Sequence, residues 1–475
     1  MPAVPRSYRR TLVLLCTLFA IGYFITCVSE TQVEWTQPVV PDHNQDLEKY
    51  VYVRPSHGLD DNSQYQAIDM PSVDPTQALR KVNQKYCGND TCRFLLPMMI
   101  TEQESKAQFH FRQLAFLSGR LDRIIVLPNV HSSHLGACRH YAFDYYYDHG
   151  WLDNNKDSFK YITMRDFLAW TKERQALEQL PTAQEISIEL PGVTSTIPVA
   201  NCMDQRFNME GRPRYRFRLE DPENESRRKG DHAAILAKVL QDRNNPQVPD
   251  GLDVIHLYYD RRFGYIKDPR AEVPIDYHPR WHALADNIAA QLSPFVAVHW
   301  RMEMLEPVSN LVPCAHSLVK KISTIDQNAS ATKNVFLLTD YPHLLQAPGA
   351  RPESMSFKQS ELTANHHDAI RYLYEHVNVT LTTVLPTDKI PTDQLPMSNW
   401  NLVPVHHPTA PTDRSVLGIV DKLVAIRSDW FLYGKAGQCG KVSSFTRRIQ
   451  YDRNQAYQQQ KYHIVSLMDT FNLHA

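Results

Sequence analysis

Glycine is scarce in this chain, with 16 among 475 residues against 31 prolines. No GxxxxGK[ST] run occurs, which excludes a Walker-type phosphate loop. No D-x-D occurs either, so the paired carboxylates that many sugar-nucleotide enzymes use to hold a divalent metal on a diphosphate are missing. There is no CxxC to support a zinc site. Charge of neither sign dominates: 51 Lys and Arg stand against 52 Asp and Glu, a net charge of −1. Nothing marks a nucleic-acid partner. Internal repeats and low-complexity tracts are absent, and only one stretch reaches membrane-spanning length.

That stretch is TLVLLCTLFAIGYFITCV, residues 11–28. It is uncharged and close to the ~20 apolar residues that cross a bilayer as a helix. Arg6, Arg9 and Arg10 precede it, and Glu30 and Glu34 follow. Basic residues stay on the cytoplasmic side, so residues 1–10 read as a cytoplasmic tail and the remainder as luminal. A cleaved signal peptide is the rival. The run exceeds a usual h-region, and no A-x-A-like cleavage site follows. A single-pass type II anchor is therefore expected.

Four N-x-[ST] sequons, at Asn89, Asn224, Asn328 and Asn378, all follow the anchor and are expected glycosylation sites. Of eight cysteines, Cys16 and Cys27 fall in the anchor, leaving Cys87, Cys92, Cys138, Cys202, Cys314 and Cys439. An even number in an oxidising compartment suits disulfides. Zinc on the close pair Cys87 and Cys92 is the alternative.

Residues 29–85, rich in Pro, Gln, Asp and Asn, read as a stem. The other reading, beyond about residue 65, is an irregular start to the folded region. Residues 102–121 suit a helix, with Ala107, Phe111, Leu114, Ser118 and Leu121 at helical spacing. IIVLP (124–128) reads as a buried strand. Residues 163–176 read as a helix, 251–260 as containing a strand, and 209–228 as a charged surface loop. In the second half, 281–292 is a helix, FVAVHW (295–300) a strand, NVFLLTD (334–340) a strand and 366–376 a helix. Residues 415–433 read as one long apolar-faced helix, then a Gly-containing loop, then a helix from about Ser443. About 445 residues exceed one core. Alternating helices and buried strands predict two α/β units with parallel sheets and a cleft between them.

Several residues can carry chemistry. Arg301 sits at the carboxyl end of the 295–300 strand, where open α/β sheets bind ligands, and its guanidinium suits a phosphate. It can equally pair with Glu303 or Glu306. Ser443 or Ser444 can cap a helix after the loop holding Gly434, Gly437 and Gly440, and such a helix start attracts anions. An ordinary capped helix is the other reading. Asp340, at a strand end, can accept from a nucleobase or ribose, or can simply cap a turn. Glu102-Gln103-Glu104 with Gln108 opens the first helix. Acidic residues suit a helix N-terminus, or one carboxylate serves as a general base.

The order of ESKAQFHFRQLAFLSGRLDRIIVLPNV, FVAVHWR, NVFLLTD, VDKLVAIRSDWF and SSFTRRI resembles the GDP-fucose protein O-fucosyltransferase superfamily, most nearly its divergent fungal type II membrane members. The resemblance spans most of residues 95–450, in islands. It implies a GT-B fold. Residues 86–275 are then an N-terminal Rossmann-like acceptor domain and residues 276–475 a C-terminal Rossmann-like nucleotide-sugar domain, facing a cleft. It implies inverting, metal-independent transfer of fucose from GDP-fucose to a hydroxyl of a protein or glycan acceptor, in the endoplasmic reticulum or Golgi. Arg301 matches the arginine on the donor diphosphate, His299 the histidine of the same motif, and Asp340 an acidic position associated with the nucleotide. Ser443, Ser444 and Phe445 match the segment that holds phosphate. The G-x-G-N-Q-like element of many members is replaced by ITEQESKAQ, without glycine, while Glu102 or Glu104 falls where some members carry a catalytic carboxylate. Trp300 replaces the usual Leu or Phe. Residues 129–250 match nothing in the family, and acceptor specificity is expected there. A catalytically silent GT-B-like protein that binds a glycan or a partner enzyme, or the same fold with another nucleotide-sugar donor, are the alternatives.

Overall fold

A computed structural model describes residues 74–475, except 101, 190–206, 208, 219–251, 260–265, 328–333, 343–356, 358, 385–400, 406–412, 414, 442 and 474–475. The anchor expected at 11–28, most of the stem, Asn224, Asn328 and Cys202 lie outside the described residues. Among the described residues, no helix is long and apolar enough to cross a membrane.

Two sheets organise residues 72–475, which form one unit. Helix α1 (Pro75–Cys87) leads into β1 (Phe94–Ile100), α2 (Glu104–Arg120) and β2 (Ile124–Val126). A tight hairpin, β3 (Asn129–His131) and β4 (His134–Gly136), follows. Then come β5 (Tyr161–Ile162), α3 (Met164–Ala176), β6 (Thr182–Glu189), β7 (Glu210–Arg218) and β8 (Val254–Tyr259). Strand β1 is the pivot: parallel β8 lies on one side, followed outward by β6 and β7, and parallel β2 and β5 lie on the other. The β3–β4 hairpin caps that second side, antiparallel to the end of β1.

The second sheet is all parallel. It contains β9 (Phe295–Trp300), β10 (Asn334–Thr339), β11 (Val379–Thr383), β12 (Asn401–Pro404), β13 (Trp430–Gly434) and β14 (Ser466–Phe471). Its order is β12-β11-β10-β9-β13-β14, so the chain reverses direction across the sheet at β9. The helices are α4 (Pro279–Leu292), α5 (Leu311–Gln327), α6 (Ala364–His376), α7 (Ser415–Arg427) and α8 (Ser444–Gln458).

The helical spacing in α2 has a direct packing consequence. Ala107, Phe111, Leu114, Ser118 and Leu121 are all buried, α2 covering one face of the first sheet and α1 and α3 the other. Strand β9 is buried along its whole length, as its unbroken apolar run requires when both faces are covered. The Gly-containing loop is tight for backbone reasons. A Cβ on Gly434 would collide with the carbonyl of Cys439, and one on Gly440 with that of Gly434.

Three sequence expectations are corrected. The stretch read as a stem contains α1, fastened by Asn83, whose side-chain oxygen accepts from the Trp170 indole at 3.0 Å. Residues 210–218, read as loop, form β7, parallel to β6. Arg-aromatic alternation over RYRFR is a strand period. The helix read over 415–433 ends at Arg427. There the buried Arg453 guanidinium caps the chain by donating to the carbonyls of Ala425, Ile426 and Ser428 at 2.8, 3.3 and 2.8 Å. A cation on the last carbonyls stops a helix, and the aromatic-rich WFLY then pairs with β9.

Cys87 pairs with Cys92 and Cys314 with Cys439, and Cys138 is also disulfide-bonded. The close pair is therefore not a zinc site. Asn89 and Asn378 are exposed.

His256 on β8 is buried, and its Nε2 has no partner among the described residues. Burial pushes its pKa down to about 3. The unfolded chain binds this proton below about pH 6.5 and the folded chain does not. Stability is therefore lost as pH falls through that window, by up to about 1.4 kcal/mol per pH unit for this group. His256→Leu is expected to flatten the dependence. Urea unfolding at about pH 4.5 and about pH 6.5 measures it, and equal slopes in wild type and variant refute the assignment.

Candidate active site

The carboxyl ends of β9, β10 and β13 converge where the second sheet reverses order. His299 is the fifth residue of β9, and Arg301 directly follows the strand. Arg301 donates through Nη2 to Glu303 Oε2 at 2.6 Å and keeps a quarter of its side chain exposed. The His299 ring stacks on Phe445, centroids 5.0 Å apart and planes 24° apart. Its Nδ1 lies 2.9 Å from the Thr446 hydroxyl. Burial, and secondarily the Arg301 charge, depress its pKa to about 3, so the ring is neutral at physiological pH.

Ser443 is the N-cap of α8, its hydroxyl accepting from the Phe445 N–H at 3.1 Å. Ser444, half-buried, opens the helix. Strand β9, β13 and the start of α8 thus bring His299, Arg301, Ser443, Ser444 and Phe445 together. A guanidinium beside a helix N-terminus suits a phosphorylated anion.

Asp340 belongs to the same corner in another role. Its two carboxylate oxygens accept from the backbone N–H groups of Met302 and Glu303 at 2.8 and 2.9 Å. Burial raises its pKa to about 6 against those two bonds. It braces the turn that carries Arg301 and presents no open carboxylate to a nucleotide.

Glu104 departs most from expectation. Read as a candidate base, it is buried, with Oε2 2.5 Å from Lys422 Nζ on α7. The Tyr147 hydroxyl donates to Oε1 at 3.0 Å, and the Tyr277 hydroxyl lies 3.2 Å from both oxygens. Burial pushes the carboxyl up, but the charge and hydrogen bond of Lys422 outweigh it and hold it below the usual range. Glu104 is therefore a buried counter-ion, closed to an acceptor. Glu102 lies just outside this cluster, its carboxylate 3.3 Å from Lys106 and its backbone at φ 95°.

The cluster continues across the molecule. Lys422 Nζ sits 5.1 Å from the ring centroids of both Tyr277 and Phe445. Arg448 on α8 donates to Gln108 Oε1 at 3.1 Å and to the Ile275 carbonyl at 3.0 Å, and pairs with Asp452 at 2.5 Å. Arg112 also donates to Gln108 Oε1, at 2.6 Å. Helix α2 of the first sheet is thus bonded to α7 and α8 of the second. Lys422, Arg448, Tyr147 and Tyr277 escaped the sequence reading. One signal was available: Lys422 is the only basic residue among the apolar positions of SVLGIVDKLVAI, and a buried lysine needs a partner.

The solved structures this chain is similar to include fucosyltransferases. A crystal structure of POFUT1 in complex with GDP aligns with a TM-score of 0.43 and 14% identity, over 80% of this chain and 98% of that one. POFUT1 in complex with GDP-fucose gives 0.41 and 14%, over 80% and 98%. The fucosyltransferase NodZ from Bradyrhizobium gives 0.33 and 12%, over 76% and 92%. At these TM-scores and identities the likeness bears no weight, and function has to be read from the residues. No family model matches the chain, and no curated protein matches it.

Removing Lys422 leaves a buried carboxylate unpaired, which costs about 3–5 kcal/mol. Lys422→Met is expected to destabilise by that order, and Glu104→Gln with Lys422→Met to recover much of the loss. Urea unfolding of the two single variants and the double variant gives the coupling. Additive losses would rule out the ion pair as the joint.

Proposed function

We propose that this chain is a glycosyltransferase that moves fucose from GDP-fucose to a hydroxyl of a protein or glycan acceptor, with inversion and without a metal. In this reading the two sheets are the halves of a GT-B enzyme, anchored through residues 11–28 in the endoplasmic reticulum or Golgi membrane with the described residues in the lumen.

One observation carries the reading. Arg301, the stacked His299–Phe445 pair and the Ser443-capped start of α8 meet at the point where the second sheet reverses strand order. Ligands of open α/β sheets bind outside the carboxyl ends of strands at such a point. Departing GDP gains negative charge on its terminal phosphate. A fixed guanidinium and the N–H groups of a helix start aimed there stabilise that charge most when they are already in place. Such a set can meet a diphosphate without a metal ion, in line with the missing D-x-D. The resemblance of the five sequence islands supplies the donor identity.

The closure of Glu104 favours a second reading, a silent relative that binds glycan or a partner enzyme. Nucleotide binding and turnover separate the two. GDP and GDP-fucose are expected to raise the thermal midpoint more than GDP-mannose or UDP-sugars, since a ligand of the folded state stabilises it. GDP-fucose is expected to be consumed with EDTA present. Arg301→Ala should lose roughly a hundredfold or more in turnover. Turnover unchanged by that substitution rejects the role of Arg301, and an intact donor in every mixture rejects the enzyme.

A further inference from the structure

With Glu104 closed and the Glu102 carboxylate paired with Lys106 at 3.3 Å, the transfer proposed above calls for a neutral group to take the acceptor's proton. The first sheet has its own reversal point, at β1. At the carboxyl end of β1, Ile100 pairs with Leu135 of β4, the residue after His134. His134 Nδ1 lies 2.9 Å from the backbone carbonyl of Glu102. A carbonyl only accepts, so Nδ1 carries the hydrogen and Nε2 keeps its lone pair.

The surroundings are strained and tied to the donor side. Glu102, Ser132 and Ser133 hold φ of 95°, 51° and 62°. The two serines form the hairpin link between β3 and β4, a place where Asn-Gly sits at ease. Strain of this kind gathers at functional sites. It is held by Asp413, whose Oδ2 accepts from the Ser132 N–H at 2.9 Å and also from the Tyr146 hydroxyl. Through Oδ1, 3.0 Å from the Ser415 N–H, the same Asp413 caps α7, the helix that brings Lys422 beneath Phe445. His134 therefore sits on the seam between the two reversal points.

We infer that His134 is the acceptor base, an assignment that rests on the transferase reading. Nε2 takes the hydroxyl proton as the acceptor oxygen bonds to C1 of the sugar. The bond from C1 to the diphosphate oxygen breaks, and its electron pair leaves with GDP. The groups facing the ring agree with that duty. Burial lowers its affinity for a proton, Arg139 and His131 act in the same direction, and the Glu102 carbonyl and Asp413 oppose them. The ring is neutral at physiological pH, as a base must be.

His134→Asn separates base from brace, because its amide N–H can still donate to the Glu102 carbonyl. In the full-length chain, the variant is expected to match wild type in thermal midpoint and in the shift that GDP causes. Its consumption of GDP-fucose, with water as acceptor, should fall about a hundredfold or more. Azide, a nucleophile with no proton to lose, should restore turnover in His134→Asn and leave Arg301→Ala inactive. Wild-type turnover in His134→Asn overturns the inference. So does loss of the GDP shift or of thermal stability, since His134 is then only a brace. A wild-type protein that neither shifts with GDP nor consumes the donor overturns the transferase reading itself.

Discussion

The ion pair between Glu104 and Lys422 is the constraint on which the site depends. Both side chains are almost fully buried, at 7% and 2% exposure. Taking two charges out of water costs several kcal/mol per ion, recovered only with close geometry and further hydrogen bonds. Both conditions are met, by the 2.5 Å contact and by the Tyr147, Tyr277 and Ser105 hydroxyls. A pair so enclosed is weak evidence for extra stability, but removing either partner leaves an uncompensated buried charge. It lets α2 and α7 meet in one arrangement, because any slip strands a charge in an apolar interior.

That arrangement sets the rest. Lys422 places its ammonium against the Phe445 ring, and Phe445 stacks on His299, two residues before Arg301. Arg448 repeats the lock one turn into α8, reaching Gln108 on α2. The start of α8 and the end of β9 are therefore held from the first sheet as well as from their own. The reversal points at β1 and β9 are brought to one seam by charges, where apolar packing alone would leave sliding freedom.

The sequence made the framework legible, and the reasons are local. Strand β9 was readable to the residue, since six consecutive apolar or aromatic positions between Pro294 and Arg301 admit little else. The spacing in α2 and the cap at Ser443 were readable for the same reason. The errors have long-range causes. Nothing in SVLGIVDKLVAIRSDWFLY announces that Arg453, 26 residues beyond Arg427, will cap the carbonyls where the helix ends. Asp340 and Glu104 were read as a nucleotide contact and a catalytic carboxylate, whereas their partners are Met302, Glu303 and Lys422. Which groups fill a carboxylate is decided by the meeting of elements far apart in the chain, and spacing does not record it.

Arg301 is held in the same way, by neighbours on its own turn. Among the described residues its guanidinium pairs with Glu303 at 2.6 Å, and a quarter of the Arg301 side chain stays exposed. Glu303 is itself buried, so parting the two would strand a carboxylate, and the pair holds the guanidinium in place. Asp340 holds the backbone of Met302 and Glu303 through both oxygens, so the turn that carries the guanidinium keeps its shape. Neutral His299 adds no competing charge. The corner therefore holds one cation on a rigid backbone, the preorganised arrangement that the proposed transfer calls for.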